Sequence, residues 1–181
     1  LNMIFFIEIA NFYPYIASIA YRVYLKIMTI QINYKNNGFK NPSTNLILFS
    51  DEKFNIGHLE KYISKSEFSY MTDLLKTSDS KKNVFVFEVS SKKKIILVSV
   101  KNNLETSDIE NLGAELYGYI NHGKKSEYFV NLDSIKNKYE NFIGYFLHGL
   151  KLKSYEFNLY KSIKEQKFIS INVIGNKKKV T

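Results

Sequence analysis

Hydrophobic positions along this chain recur with two periods, and the changes between them divide it into elements. Ile30, Ile32 and Tyr34 alternate with Gln31 and Asn33, the period of a half-buried strand. Asn45–Ser50, NLILFS, is a continuous apolar run of strand length and suits a central strand covered on both faces. Two short helical patterns follow between Ile56 and Leu75, Leu59-Tyr62-Ile63 and Phe68-Met71-Leu74-Leu75; Thr77–Asn83 reads as a polar loop. Val84–Val89, VFVFEV, and Ile95–Val100, IILVSV, are β-branched and aromatic runs. Ser90-Ser91-Lys92-Lys93-Lys94 joins them into a predicted hairpin, and its lysines read as a solvated turn. In Thr106–His122, Ile109, Leu112, Leu116, Tyr117 and Ile120 recur at steps that place them on one helical face. Ser107 and Glu110 have capping-box spacing, and Gly123 is a natural left-handed stop. Glu127–Leu132 predicts a further strand.

The longest pattern runs from Ser134 to Tyr160. Ile135, Tyr139, Phe142, Ile143, Phe146 and Leu150 share a face, which predicts an amphipathic helix capped by Asp133 or Ser134 and ending near Gly149. Gly144 inside it costs about 1 kcal/mol relative to alanine, which implies a close contact there. The aromatic segment that follows, with Leu152, Tyr155, Phe157 and Tyr160, is expected to pack on the sheet. Phe168–Ile174 alternates as a half-exposed strand. Strands and helices thus alternate after residue 44 with one hairpin, which predicts the α/β class: a mixed sheet covered by helices, in three layers.

The 181 residues suffice for one domain with a substantial core. Cysteine is absent, which excludes a disulfide scaffold and any thiolate metal site. The net charge of +9 raises a nucleic-acid or anionic-membrane partner. Yet nearly all the basic residues are lysines, with Arg22 the sole arginine. Recognition of phosphate and base edges favours the guanidinium fork, so a solvated lysine surface is the simpler reading.

Residues 1–27 are strongly apolar, with only Glu8, Arg22 and Lys26 charged and Pro14 interrupting any helix. They lack the basic start of a secretory signal and make a poor membrane span. The expectation is that Met28-Thr-Ile-Gln-Ile is the natural beginning and that 1–27 is translated upstream sequence. A membrane anchor or a buried helix is the alternative. Residues 28–175 then form the α/β domain, and 176–181 a basic tail or the start of a linker.

The candidate chemistry is sparse. None of His58, His122 and His148 has a partner at metal-ligand spacing, and His122 fits a helix-end role. Glycine-rich phosphate loops and the nucleophile elbow are missing. The pairs Gly113/Gly118 and Gly144/Gly149 lie in helical patterns and read as packing contacts. Gly175-Asn176-Lys177-Lys178-Lys179 could hold an anion but reads as a frayed end. Asp51-Glu52 and Asp108-Glu110 suit solvated or capping positions. The Tyr- and Lys-rich Tyr155–Lys167 could stack on bases, with packing the favoured role. No catalytic, cofactor-binding or metal-binding residue is assigned.

One segment does point to a family. Gly149-Leu-Lys-Leu-Lys-Ser-Tyr-Glu-Phe-Asn-Leu-Tyr-Lys161 resembles the end of the N-terminal domain of the leucyl (cytosol) aminopeptidases, with Leu152, Ser154, Tyr155, Phe157, Tyr160 and Lys161 matching in order. Leu112-Gly113-Ala114, in a helix after the strand IILVSV, fits the same order of elements. The resemblance covers Met28 to Thr181. It implies a macro-domain-like α/β fold and a cytoplasmic enzyme that removes N-terminal residues from peptides, typically as a hexamer. It places two divalent metals, zinc or manganese, in a larger C-terminal domain, where they polarise the scissile carbonyl and activate a bridging water. The family's Asn-Thr-Asp-Ala-Glu-Gly-Arg motif is nowhere in this sequence. The expectation is therefore a non-catalytic domain, cut off or encoded separately, that serves assembly and active-site access with a catalytic domain in cis or trans. The alternative is a stand-alone nucleotide- or nucleic-acid-binding module.

Overall fold

The computed structural model describes residues 30–35, 44–78, 82–121, 125–136, 141–155 and 168–175. Its strands are β1 (Ile30–Lys35), β2 (Asn45–Asp51), β3 (Val84–Ser90), β4 (Lys93–Val100), β5 (Lys125–Asn131) and β6 (Phe168–Ile174). Its α-helices are α1 (Lys65–Thr77), α2 (Thr106–Ile120) and α3 (Phe142–Lys153), with 3-10 turns at Gly57–Tyr62 and Leu132–Ser134. The strands form one sheet in the order β1-β6-β5-β2-β4-β3. Every neighbouring pair is parallel except the β3–β4 hairpin. The fold is thus the mixed, three-layer α/β arrangement that the pattern predicts.

Strand β2 explains its own sequence. Leu46, Ile47, Leu48 and Phe49 are at most 1% exposed because helices cover both faces of the sheet at this strand. Ile47 and Phe49 join Ile96, Val98, Val130, Ile169 and Ile171 beneath α2 and α3. Leu46 and Leu48 face the other way, with Phe87, Ile95 and Leu97, against Met71 of α1 and Ile56 and Leu59 around the first 3-10 turn. Each such aliphatic side chain is worth about 1.5–3 kcal/mol when fully buried. Strand β6 is more buried than its alternation suggests: Asn172 is only 1% exposed, because β6 is flanked by β1 and β5 and is not itself the edge strand.

The hairpin turn is shorter than predicted. Only Ser91 and Lys92 lie outside the strands. Lys93 belongs to β4 and is buried, its ammonium paired with Glu67 of α1, while Lys94 pairs with Glu88. The reading of these lysines as a solvated turn therefore fails for Lys93, whereas Lys94 lies in β4 rather than the turn but stays at the solvated surface. Glu67 also closes a capping box with Ser64 at the start of α1.

Helix α2 has the predicted buried stripe but a different cap. Glu105 and Asp108 form the reciprocal box, so Ser107 falls inside the first turn and Glu110 is left to meet α3. His122 and Gly123 lie outside the described residues.

Helix α3, predicted from Ser134 to near Gly149, begins later and runs further than its pattern implies. Leu132–Ser134 is a 3-10 turn whose first N–H groups are met by Asn131, with its side chain accepting from Asp133 N. Neither Asp133 nor Ser134 caps α3; the residue before it is Asn141, in the left-handed region at φ 56°. Ile135 is buried outside the helix, and Tyr139 lies outside the described residues. Gly149 sits inside α3 and does not end it. Gly144 faces open space, so the close contact expected there is absent. The expected packing of the aromatic segment fails at its start: Leu152 and Tyr155 are 58% and 50% exposed. Phe157 and Tyr160 lie outside the described residues, as do residues 1–27 and 176–181. Among the described residues no helix is long and apolar enough to cross a membrane.

Candidate functional site

The crossover leaving β2 runs through α1 on one face of the sheet. The crossover leaving β5 runs through α3 on the other. Because β2 and β5 are parallel neighbours, their connections part at the carboxyl ends and leave a crevice, the usual ligand position of open α/β sheets. Gly175, at the end of β6, closes one side of it.

The β2 end is a polar turn. Asp51 Oδ1 accepts from the backbone N–H of Lys53 at 3.1 Å and of Asn55 at 2.8 Å, holding the chain in a side-chain-closed turn. Phe54 is forced into the left-handed region at φ 53°, with its ring edge-on to Phe85 at 4.7 Å. The 3-10 turn then presents His58.

On the β5 side, Ser134 is buried. Its Oγ accepts from Phe49 N at 3.0 Å and donates to the Asn131 carbonyl at 2.6 Å. Gly175 lies against this loop at φ 122°; a Cβ there would stand 3.0 Å from Leu132 Cβ and 3.2 Å from Asp133 Oδ1. Its tight seat between strand and loop takes Gly175 itself out of the frayed end expected for Gly175–Lys179. Residues 176–179 lie outside the described residues.

His58 joins the two sides, its Nε2 lying 3.0 Å from the carbonyl oxygen of Ser134. A carbonyl only accepts, so Nε2 carries a proton; in the neutral tautomer Nδ1 is then the acceptor of the ring. That Nδ1 is buried and has no hydrogen-bond partner. Gly57, His58, Glu60 and Lys61 line an open depression of about 450 Å³ beside it. The Lys61 ammonium lies over the Tyr62 ring, 4.7 Å from its centroid.

A second, more polar cleft of about 280 Å³ lies at the end of β4. Asn83, Lys101, Asn103, Asp108, Asn111 and Glu115 are among its walls. Asn83 Nδ2 donates to Glu115 Oε2 across it at 3.1 Å.

These arrangements can hold polar groups by hydrogen bonds. Neither presents a nucleophile with its base. Among the described residues no three histidine or carboxylate groups converge as a metal site would require, so the donor set here does not fit a pair of divalent ions. His148 is away from both clefts, its Nδ1 2.8 Å from Glu110 Oε1 at the solvent-exposed junction of α2 and α3. Asp108 has the capping role expected for its pair. Of the paired glycines, Gly113 and Gly149 are contact positions, while Gly118 and Gly144 have nothing near them. Sequence reasoning missed the crevice because His58 and Ser134 are 76 residues apart and neither belongs to a local motif. The one available signal was Asp51-to-His58 following a fully apolar strand.

No family model matches the sequence, and no curated protein matches it in sequence. Solved structures do match the fold. A mutant of tomato leucine aminopeptidase superposes with a TM-score of 0.61 and 16% identity, covering 81% of this chain and 32% of that chain. The macrodomain of Thermus aquaticus DarG superposes with a TM-score of 0.51 and 8% identity, covering 81% of this chain and 99% of that one. The chain thus spans about a third of the aminopeptidase chain. At such identities the likeness is one of fold: the six-stranded mixed sheet has a macrodomain-like architecture, shared with part of an aminopeptidase.

Proposed function

We propose that this chain serves as the non-catalytic N-terminal domain of a leucyl aminopeptidase, supporting assembly and shaping access to an active site carried by a separate catalytic domain in cis or trans. The observation that carries this reading is the fold likeness to the tomato enzyme over 81% of this chain and about a third of that one. The ordered match of Leu152, Ser154 and Tyr155 with residues beyond them supports it. Removal of N-terminal amino acids, the two zinc or manganese ions and the hexamer belong, on this reading, to the assembled cytoplasmic enzyme. The test is to assay the purified chain on a leucine anilide, then mix it with an aminopeptidase catalytic domain lacking its own N-terminal domain. The expected result is no turnover alone and co-elution with the catalytic domain. Chelator-sensitive turnover by the chain alone, or no association, would overturn it.

A second reading has its own observation. The macrodomain likeness covers 99% of that protein, and the crevice between β2 and β5 holds an unpaired imidazole nitrogen. Both support a stand-alone nucleotide-binding module. Calorimetric titration with adenosine diphosphate separates the two: saturable binding that His58→Ala weakens favours the module.

A further inference from the structure

We propose that the free edge of β3 is a self-association surface at which a second copy of this chain pairs strand to strand. The inference stands whichever reading of function holds, because it rests on the sheet alone.

Strand β3 ends the sheet and, among the described residues, has β4 as its one neighbour. Their antiparallel register sets Val84 opposite Val98, Phe85 opposite Leu97, Val86 opposite Ile96 and Phe87 opposite Ile95. Ser99 N donates to Asn83 O at 2.8 Å, which marks Asn83 and Ser99 as a hydrogen-bonded pair. Such pairs alternate along an antiparallel ladder. Phe85 and Phe87 therefore bond to β4, while Val84, Val86 and Glu88 turn their N–H and C=O groups to the open side.

Exposed edges are ordinarily blunted by lysine, proline or an early bulge. Strand β1, at the opposite end of the sheet, has Lys35 with the polar Gln31 and Asn33. Strand β3 has one charge, Glu88, already paired with Lys94, and its bulge comes only after Glu88. Beside it α1 leaves Tyr70 and Leu74 about 40% exposed, with Tyr70 edge-on to Phe87. An extended, apolar segment fits this edge, and the strand itself is such a segment.

A two-fold axis at Val86 satisfies both the hydrogen-bond phase and the side chains. It sets Val86 opposite Val86 of the second copy and Val84 opposite Glu88, all residues with outward-facing backbone groups. It also sets Phe85 opposite Phe87 on the side of α1, where aromatic cross-strand pairs are favourable. No like charges face each other. A closed isologous dimer results, with one continuous sheet through both copies.

The test combines sedimentation of the full chain across a concentration series with residue-resolved amide exchange. The expected result is a monomer–dimer equilibrium, with the amides of Val84, Val86 and Glu88 gaining protection as dimer forms. Val86→Pro removes an outward N–H and no bond to β4, as edge positions allow. It should weaken dimerisation at least ~10-fold. A chain that stays monomeric with those amides unprotected overturns the proposal. So does protection independent of concentration, which would place another segment on the edge, or a dimer that Val86→Pro leaves unchanged. If that variant fails to fold, exchange on the unaltered chain decides.

Discussion

Gly149 of α3 lies directly against the backbone of Glu110 in α2: a methyl group built on it would overlap the Glu110 carbonyl oxygen. Gly113 of α2 stands in the same relation to Phe146 of α3. The two helices therefore touch main chain to main chain at two glycines, and the pair seats on the sheet as one layer. Alanine at Gly113 or Gly149 should destabilise the fold by about 1–3 kcal/mol or more, the range for overfilling a packed contact. Gly118 and Gly144 face open space in the same helices. Alanine there should instead stabilise by up to about 1 kcal/mol through helix propensity. Urea unfolding of the four variants checks the opposite signs.

Glu67 and Lys93 make the second test. Their side chains are 11% and 9% exposed. Glu67→Gln leaves a buried ammonium without its counter-charge and should cost about 3 kcal/mol. Removing both charges together, as Glu67→Gln with Lys93→Met, should cost less than the single change. A double-mutant cycle in thermal unfolding measures the difference.

The same pair gives a pH dependence. Burial pushes the Glu67 carboxyl up, but the hydrogen bond from Lys93 and those from the backbone and side chain of Ser64 pull it down further, to below its ordinary 4.5. A carboxyl lowered on folding contributes stability that is complete above its unfolded value and is lost as pH falls through the folded value. The stability gap between the unaltered chain and Glu67→Gln should be constant near neutrality. It should close as pH falls from about 4.5 toward the lower folded value. Chemical unfolding between pH 7 and pH 3 checks this.

Ser134→Ala tests the floor of the crevice. The change leaves the buried Phe49 N–H without an acceptor and the Asn131 carbonyl without its donor. The expected loss is about 1–3 kcal/mol, with faster amide exchange at Phe49. Unchanged stability with unchanged exchange at Phe49 would contradict the bond.

How much of this was legible depended on how far apart the interacting residues lie. Asn45–Ser50 announced a central strand because burial on both faces leaves no polar position to alternate. The α2 stripe was readable because a helix repeats its core contacts every turn. Lys93 was misread since its partner, Glu67, lies on another element, and a lysine run looks solvated until a carboxylate is brought beside it. Gly144 and Gly149 are alike in sequence; only the path of α2 past one of them tells them apart. His58 and Ser134 meet solely because β2 and β5 are adjacent, a fact of topology that no local pattern encodes.

Among the described residues strand β1 pairs with β6 alone, and Asn33 bonds to Asn172 across a separation of 139 residues. During synthesis on the ribosome, then, the segment around Ile30 emerges before its described partner and can dock beside it only once β6 has left the exit tunnel. The rest of the sheet can assemble outward from β2 and β4 in the meantime. Docking of β1 becomes a late, slow step of maturation, since closing so long a loop is entropically unfavourable.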